Sequence, residues 1–288
     1  MNTQSITRTT IDLWNADSFD QKLRELLDAK AELLVSYFDT ENANFLAYDH
    51  ARGSDRLASR PSNPYATEFL SFVEGLGRWM ESRSIRAFHC TRMTNEEVKS
   101  LLKSGIELST PETLRRRLDA LVDAGHLSAD KADVAFDDSP FQGDQLEFRS
   151  GIFWLTSHPL VPYEGGTEDL LGRWGGEVAS FWTEDNELIE TLSRIGTPRI
   201  LEIAVPLHAT HHSYAAANTV VRTFARSRGA LPDKGAFDLY TEQPLPATAV
   251  LAVHSEGDAD FIAMGTTYPD SYVDINVGRW KELTGEDD

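Results

Sequence analysis

Cysteine is nearly absent from this chain: among 288 residues Cys90 is the one thiol. That excludes an internal disulfide and any zinc site built on several thiolates. Long apolar runs are missing too, and none approaches the length a helix needs to cross a bilayer. The stretch from Met1 to Thr10 is polar and lacks the apolar centre of a secretory signal. The expected compartment is therefore the reducing cytoplasm. Basic charge is scarce: 27 Lys and Arg stand against 46 Asp and Glu, a net charge of −19. General nucleic-acid binding needs clustered cations against phosphate, so it is not expected. The excess acid suits a solvated surface, or one that engages a basic partner or mimics nucleic acid. No internal repeat or low-complexity linker is visible, and neither a Walker A nor a dinucleotide-binding glycine fingerprint fits.

What is present is an ordinary globular composition, 41% hydrophobic and 25% charged, in a chain long enough for one large or two modest domains. Residues 1–16 read as a loose lead-in. Phe19, Leu23, Leu26, Leu27, Leu34 and Phe38 fall at helical spacing and predict one helix over 18–38. Residues 49–64 are polar and turn-rich and read as a surface loop. A second helix is expected over 65–80. An apolar strand over 85–93 leads to Thr94 and Glu97, a capping box for a helix that stops at Gly105. Thr110 and Pro111 open another helix, which ends near Gly125. The run Arg115-Arg116-Arg117 on it is expected to face solvent in the main. Residues 130–145 read as acidic and irregular, and 148–157 as a strand. Glu177 opens a short amphipathic segment, 184–195 is helical, 199–207 is a strand and 213–227 is an Ala-rich helix. Short strands are expected at 237–240, 249–254 and 261–264. The balance is α+β.

Four groups of residues bear on chemistry. His89 stands at the exit of the first strand and points to the face opposite Phe88 and Cys90. It reads either as a half-exposed ring bonded to a nearby carbonyl or as a group that orients a ligand. Cys90 does not pair with its neighbour His89, because adjacent strand residues project to opposite faces; a buried, inert thiol is expected. His208, His211 and His212 have spacings that would suit a metal if a helix ran across them, although no HExxH pattern is present. The runs Tyr163-Glu164-Gly165-Gly166-Thr167 and Gly172-Arg173-Trp174-Gly175-Gly176-Glu177 are turn-rich surface loops or places where a ligand approaches the backbone. A helix starting after Gly176 would offer N–H groups to a phosphate.

Several blocks together resemble the ADP-ribosyltransferase-like superfamily, in its poly(ADP-ribose) polymerase-like branch. Phe88-His89-Cys90-Thr91 followed by Ser104-Gly105-Ile106 is similar to the first block of that superfamily. Ser150-Gly151-Ile152-Phe153-Trp154-Leu155 resembles its second strand, Gly175 to Phe181 its aromatic-bearing helix, and Phe237 to Gln243 with Ala249 to Val253 its late strand pair. The resemblance implies a split β-sheet core over 85–288 behind an N-terminal helical extension, 1–84. It implies NAD as substrate and transfer of ADP-ribose to a macromolecular acceptor. His89, Thr91, Arg92, Gly151, Phe153, Arg173 and Phe181 would bind NAD, with His89 on the adenosine-side ribose and an aromatic ring on nicotinamide. A glutamate would stabilise the cationic state formed as nicotinamide leaves. Two positions depart from the pattern. Phe153 replaces a tyrosine, and the expected acid falls near Gly235-Ala236, where there is none. Glu177, Asp238 or Glu242 would have to substitute, with Glu177 favoured because Gly175-Gly176 lets a ligand come close. The competing reading is a non-catalytic acidic protein on the same fold that binds a protein partner. In neither reading is a membrane or a metal expected.

Overall fold

A computed structural model describes residues 10–51, 57–164, 166–233 and 235–265. In chain order these form helices α1 (Gln21–Asp28), α2 (Ala31–Asn44) and α3 (Ala66–Met80), strand β1 (Ser84–Met93), helices α4 (Asn95–Ser104), α5 (Pro111–Asp123), α6 (Ala129–Asp137) and α7 (Leu146–Arg149), and strand β2 (Phe153–Thr156). Helices α8 (Thr167–Gly172), α9 (Glu177–Ser180) and α10 (Asn186–Arg194) follow, then β3 (Thr197–Pro206), α11 (Ser213–Ser227), β4 (Asp238–Thr241), β5 (Val250–Ser255) and α12 (Ala259–Ala263). The class is α+β. No helix among the described residues is long and apolar enough to cross a membrane.

The chain divides into two compact units, at Ile85/Arg86, Val205/Pro206 and Phe237/Asp238. The first unit holds α1–α3 and α11. Its core is aromatic and aliphatic: Phe38 meets Phe69 edge-on at 5.4 Å, and Tyr37 stacks on Phe69 at 3.6 Å. Such ring pairs add to plain apolar burial. Helices α3 and α11 pack closely: a Cβ at Gly77 would stand 3.3 Å from the Tyr214 backbone. The expected loose lead-in is not loose throughout: Ile11, Leu13 and Trp14 are buried, and Ile11 bridges to Ile85. The single helix expected over 18–38 is two. Asp20 caps α1 by accepting from Leu23 N–H, and the chain breaks at Ala29-Lys30 before α2 begins. Helical periodicity carried across this break, so it was invisible in the spacing. Residues 52–56 of the expected 49–64 loop, and 1–9 of the lead-in, lie outside the described residues.

The second unit holds a five-stranded sheet in the order β4-β2-β1-β3-β5. The pairs β1–β2, β2–β4 and β3–β5 are antiparallel. Phe88 is opposite Thr156, Trp154 opposite Tyr240, and Thr156 opposite Asp238. Side chains therefore sort by alternation. Phe88, Cys90 and Ile200 pack with Leu171, Phe261 and Met264, on the face that also carries Trp154, Thr156, Tyr240 and Asp238. His89, Phe153 and Leu155 lie on the other face. A second core joins α5, α6 and α10 through Leu114, Leu118, Leu121, Ala132, Leu188 and Leu192, with Trp174 fully buried among them.

Three expectations in this unit change. Residues 129–137 are helical because Ser128 caps the segment and Ala132 and Ala135 fall on one buried side. The strand expected from 148 begins only at Phe153, because 146–149 make one helical turn. The expected strand 261–264 belongs to α12, whose Phe261 fills the core.

Gly105 closes α4 at φ +92°, and a Cβ there would stand 2.1 Å from the Leu245 carbonyl oxygen. Gly125 has φ +72° and open space around it. Gly125→Ala should cost only the backbone term, about 1–2 kcal/mol. Gly105→Ala adds a steric term of about 1–3 kcal/mol. Equal losses in urea melts would refute the close approach at Gly105.

Candidate functional site

His89 arrives on β1 and Phe153 on β2, and the register of the two strands puts them diagonally on one face. Their ring centroids are 4.4 Å apart with a 36° tilt. His89 Nδ1 lies 2.9 Å from the Trp154 carbonyl oxygen. A carbonyl only accepts, so Nδ1 carries the proton and Nε2 presents a lone pair. The ring is half-buried. Crowding by protein lowers its pKa to about 4, against the pull of the Trp154 carbonyl and with help from the charge of Arg117. A neutral imidazole with one fixed tautomer is an acceptor for a hydroxyl or an N–H. The carbonyl-bonded reading of His89 and the ligand-orienting one are thus compatible.

Arg117 is the residue that the sequence reading missed. Of the run Arg115-Arg116-Arg117, Arg115 pairs with Asp119 and Asp133 and Arg116 with Glu107 on the outer surface. Arg117 turns inward. Its Nε donates to Glu97 at 2.9 Å, and its guanidinium lies 4.7 Å over the Trp174 ring. Glu97 also accepts from the Trp174 indole Nε1 at 2.9 Å and, closing the capping box of α4, from Thr94 N–H at 2.8 Å. Burial alone would raise the Glu97 carboxyl, but Arg117 and the donated bonds outweigh it and hold it below the usual carboxylate range. One legible signal was the indole of Trp174, since a buried tryptophan N–H needs an acceptor.

Thr91 is buried on the His89 side of β1. Arg92 does not point a free charge at this face: its Nε donates to the Ile195 carbonyl at 2.9 Å, and its backbone bridges to Trp174. Gly151 sits at φ +78° at the entry to β2, and its N–H donates to the Ser109 carbonyl. Arg173 pairs with Asp169 at 3.1 Å. Phe181 is exposed at the end of α9. Glu177 forms an ion pair with Arg149 at 2.5 Å, four residues before Phe153. Asp238 shares a sheet face with Trp154 and Tyr240, away from His89, and Glu242 follows the end of β4. The structure thus puts His89, Thr91 and Phe153 on one sheet face with the Arg117 charge acting on His89, pairs Glu177 with Arg149 and puts Asp238 on the opposite face.

Two conditional readings, a phosphate at the helix after Gly176 and a metal on a helix across the histidines, turn on local structure. The helix after Gly176 is a single turn, Glu177–Ser180, in which the Ala179 and Ser180 N–H groups bond back to the Gly176 carbonyl, and so short a turn carries little of the dipole that would favour a phosphate. Gly175 is needed instead because a Cβ would meet Ala179 Cβ at 2.5 Å. His208 lies in a short 3-10 turn, Thr210 is extended, and His212 precedes α11, so no helix aligns the histidines. Among the described residues no group of three His, Cys, Asp or Glu side chains could hold a metal. Cys90 is buried, and burial pushes its thiol up to about 12, as an inert core residue requires. No family model, curated protein or solved structure matches this chain.

The lowered His89 pKa has a definite sign in stability. Above pH 6.5 both folded and unfolded chains hold the ring neutral. Between about 6.5 and about 4 only the unfolded chain takes the proton, so stability falls with falling pH across that window and this contribution levels off below it. Relative to His89→Gln, the native chain should lose on the order of 1–3 kcal/mol between pH 7 and 4. Parallel stability curves for the two proteins would contradict it. Glu97→Ala, which strands Arg117 and the Trp174 indole, should cost about 3 kcal/mol in chemical denaturation; a loss below about 1 kcal/mol, the range of an exposed pair, would show that the network is not cooperative.

Proposed function

We propose that the second unit binds NAD along the His89–Phe153 face and acts as an ADP-ribosyltransferase-like protein. The observation that carries this reading is the pairing of a tautomer-fixed, neutral His89 with the Phe153 ring. The Nε2 lone pair suits a ribose hydroxyl, and an aromatic face beside it suits a flat heterocycle. The Arg117 guanidinium, ion-paired to Glu97, acts electrostatically on His89, so a pyrophosphate placed there would meet a cation that is already partly compensated. In the reaction this implies, the bond between nicotinamide nitrogen and ribose breaks, and the electron pair leaves with nicotinamide. A nucleophile of the macromolecular acceptor takes its place and gives up a proton.

The acid is where the fit is incomplete. Glu177 is committed to Arg149, and Asp238 belongs to the opposite sheet face. That separation favours a second reading, in which the protein has kept a ligand-binding face without turnover and works by binding a protein partner.

The two readings part on one experiment with the full chain and labelled NAD, scoring melting temperature, nicotinamide release and modified protein. Under the first, NAD at a hundred times its Kd stabilises the fold by about 2.7 kcal/mol. His89→Ala loses that shift, and Glu177→Gln keeps the shift but loses nicotinamide release. Stabilisation without nicotinamide release selects the second reading. No shift in the native chain would remove NAD from both.

A further inference from the structure

One stretch of the second unit's surface is left unexplained by the His89 face. Helices α7 and α9 are single turns tied together by the Arg149–Glu177 ion pair. Leu146 lies three residues before Arg149, and Phe181 four after Glu177. These spacings put each on the same side of its turn as the charged residue. Leu146 and Phe181 are therefore on the ion-paired sides of their turns, with Phe148 about 100° round from Arg149 and Trp182 about 100° round from Phe181. Their exposures are 39% for Leu146, 67% for Phe148 and 42% each for Phe181 and Trp182. A lone exposed apolar side chain needs no explanation, but four on two adjoining turns, three of them aromatic, form a patch of the kind that marks a contact site.

The surrounding charge says what the patch contacts. Residues 129–149 and 177–187 carry ten acids and two bases, Lys131 and Arg149. Both bases are already paired, Lys131 with Glu187 at 2.7 Å and Arg149 with Glu177. Among the described residues, Asp133 draws a cation from elsewhere, Arg115 on α5. An anionic lipid surface or a nucleic acid would be repelled by this field. A polypeptide with Lys and Arg around large apolar side chains matches it: the rings provide anchors, and the acids steer the approach.

We infer that this patch docks a basic, amphipathic segment of another protein. The inference names a partner chemistry that the second reading leaves open, and it holds whether or not NAD binds.

The test uses the full chain and a fluorescent amphipathic peptide of lysine, leucine and tryptophan, with the same peptide carrying glutamate for lysine as control. Saturable binding of the lysine peptide is expected, weakened by added salt, and the glutamate peptide should not bind. The double variant Phe148→Ser/Trp182→Ser should bind about tenfold more weakly with an unchanged melting temperature, since both side chains are exposed. Asp137→Lys/Asp138→Lys should weaken binding without touching a ring. Equal binding to the native chain and the Phe148/Trp182 variant would overturn the proposal, because only diffuse charge attraction would remain. So would a native dimer that this variant makes monomeric in sedimentation, which would assign the patch to a second copy, or co-pelleting with anionic vesicles, which would assign it to a membrane. NAD stabilisation is read separately on the same variants, so failure here leaves the NAD reading untouched.

Discussion

The carboxylate of Glu97 holds the approach to His89 together. It closes the capping box of α4 where β1 ends, receives the indole N–H of the buried Trp174, and neutralises Arg117. A charge so placed is tolerable only because every donor that meets it is fixed. Trp174 in turn pairs its backbone with Arg92 at the end of β1. The strand that carries His89, the helix after it, α5 and the glycine-rich run thus share one electrostatic fastening. Its effect on the site is to hold the Arg117 guanidinium, within an ion pair, near a histidine whose pKa it helps to lower.

Local signals in the sequence marked the elements best where one residue type had one reason to be present. The Thr94–Glu97 box, Pro111 at the start of α5 and the alternation of β3 were all legible, because each is settled within a few neighbours. Helix α11 was legible over its full length from its run of small apolar residues. The helix over 129–137 was hidden by its acids, which line its wet side and made the segment look irregular. The break between α1 and α2 was hidden because the apolar spacing runs through it. The last apolar run, at Phe261, looked like a strand because four residues of burial carry no period.

The candidate site was legible in part for the same reason. His89 and Phe153 could be read from strand ends, and the side of the strand on which His89 points followed from alternation. Arg117 could not, since which member of an arginine run turns inward depends on Glu97 and Trp174, which are distant in sequence. The acids were equally opaque: whether Asp238 faces His89 is a question of register between β2 and β4, and no single strand contains the answer.

The order of the two units along the chain has a consequence for synthesis. Helices α1–α3 leave the ribosome early, but α11, which packs on α3 against Gly77, is encoded after the whole of Arg86–Val205. The nascent chain therefore carries an unmatched apolar helix face through most of its translation. Domains generally complete in order of emergence, yet here the unit begun first can be finished only after most of the other has already been made.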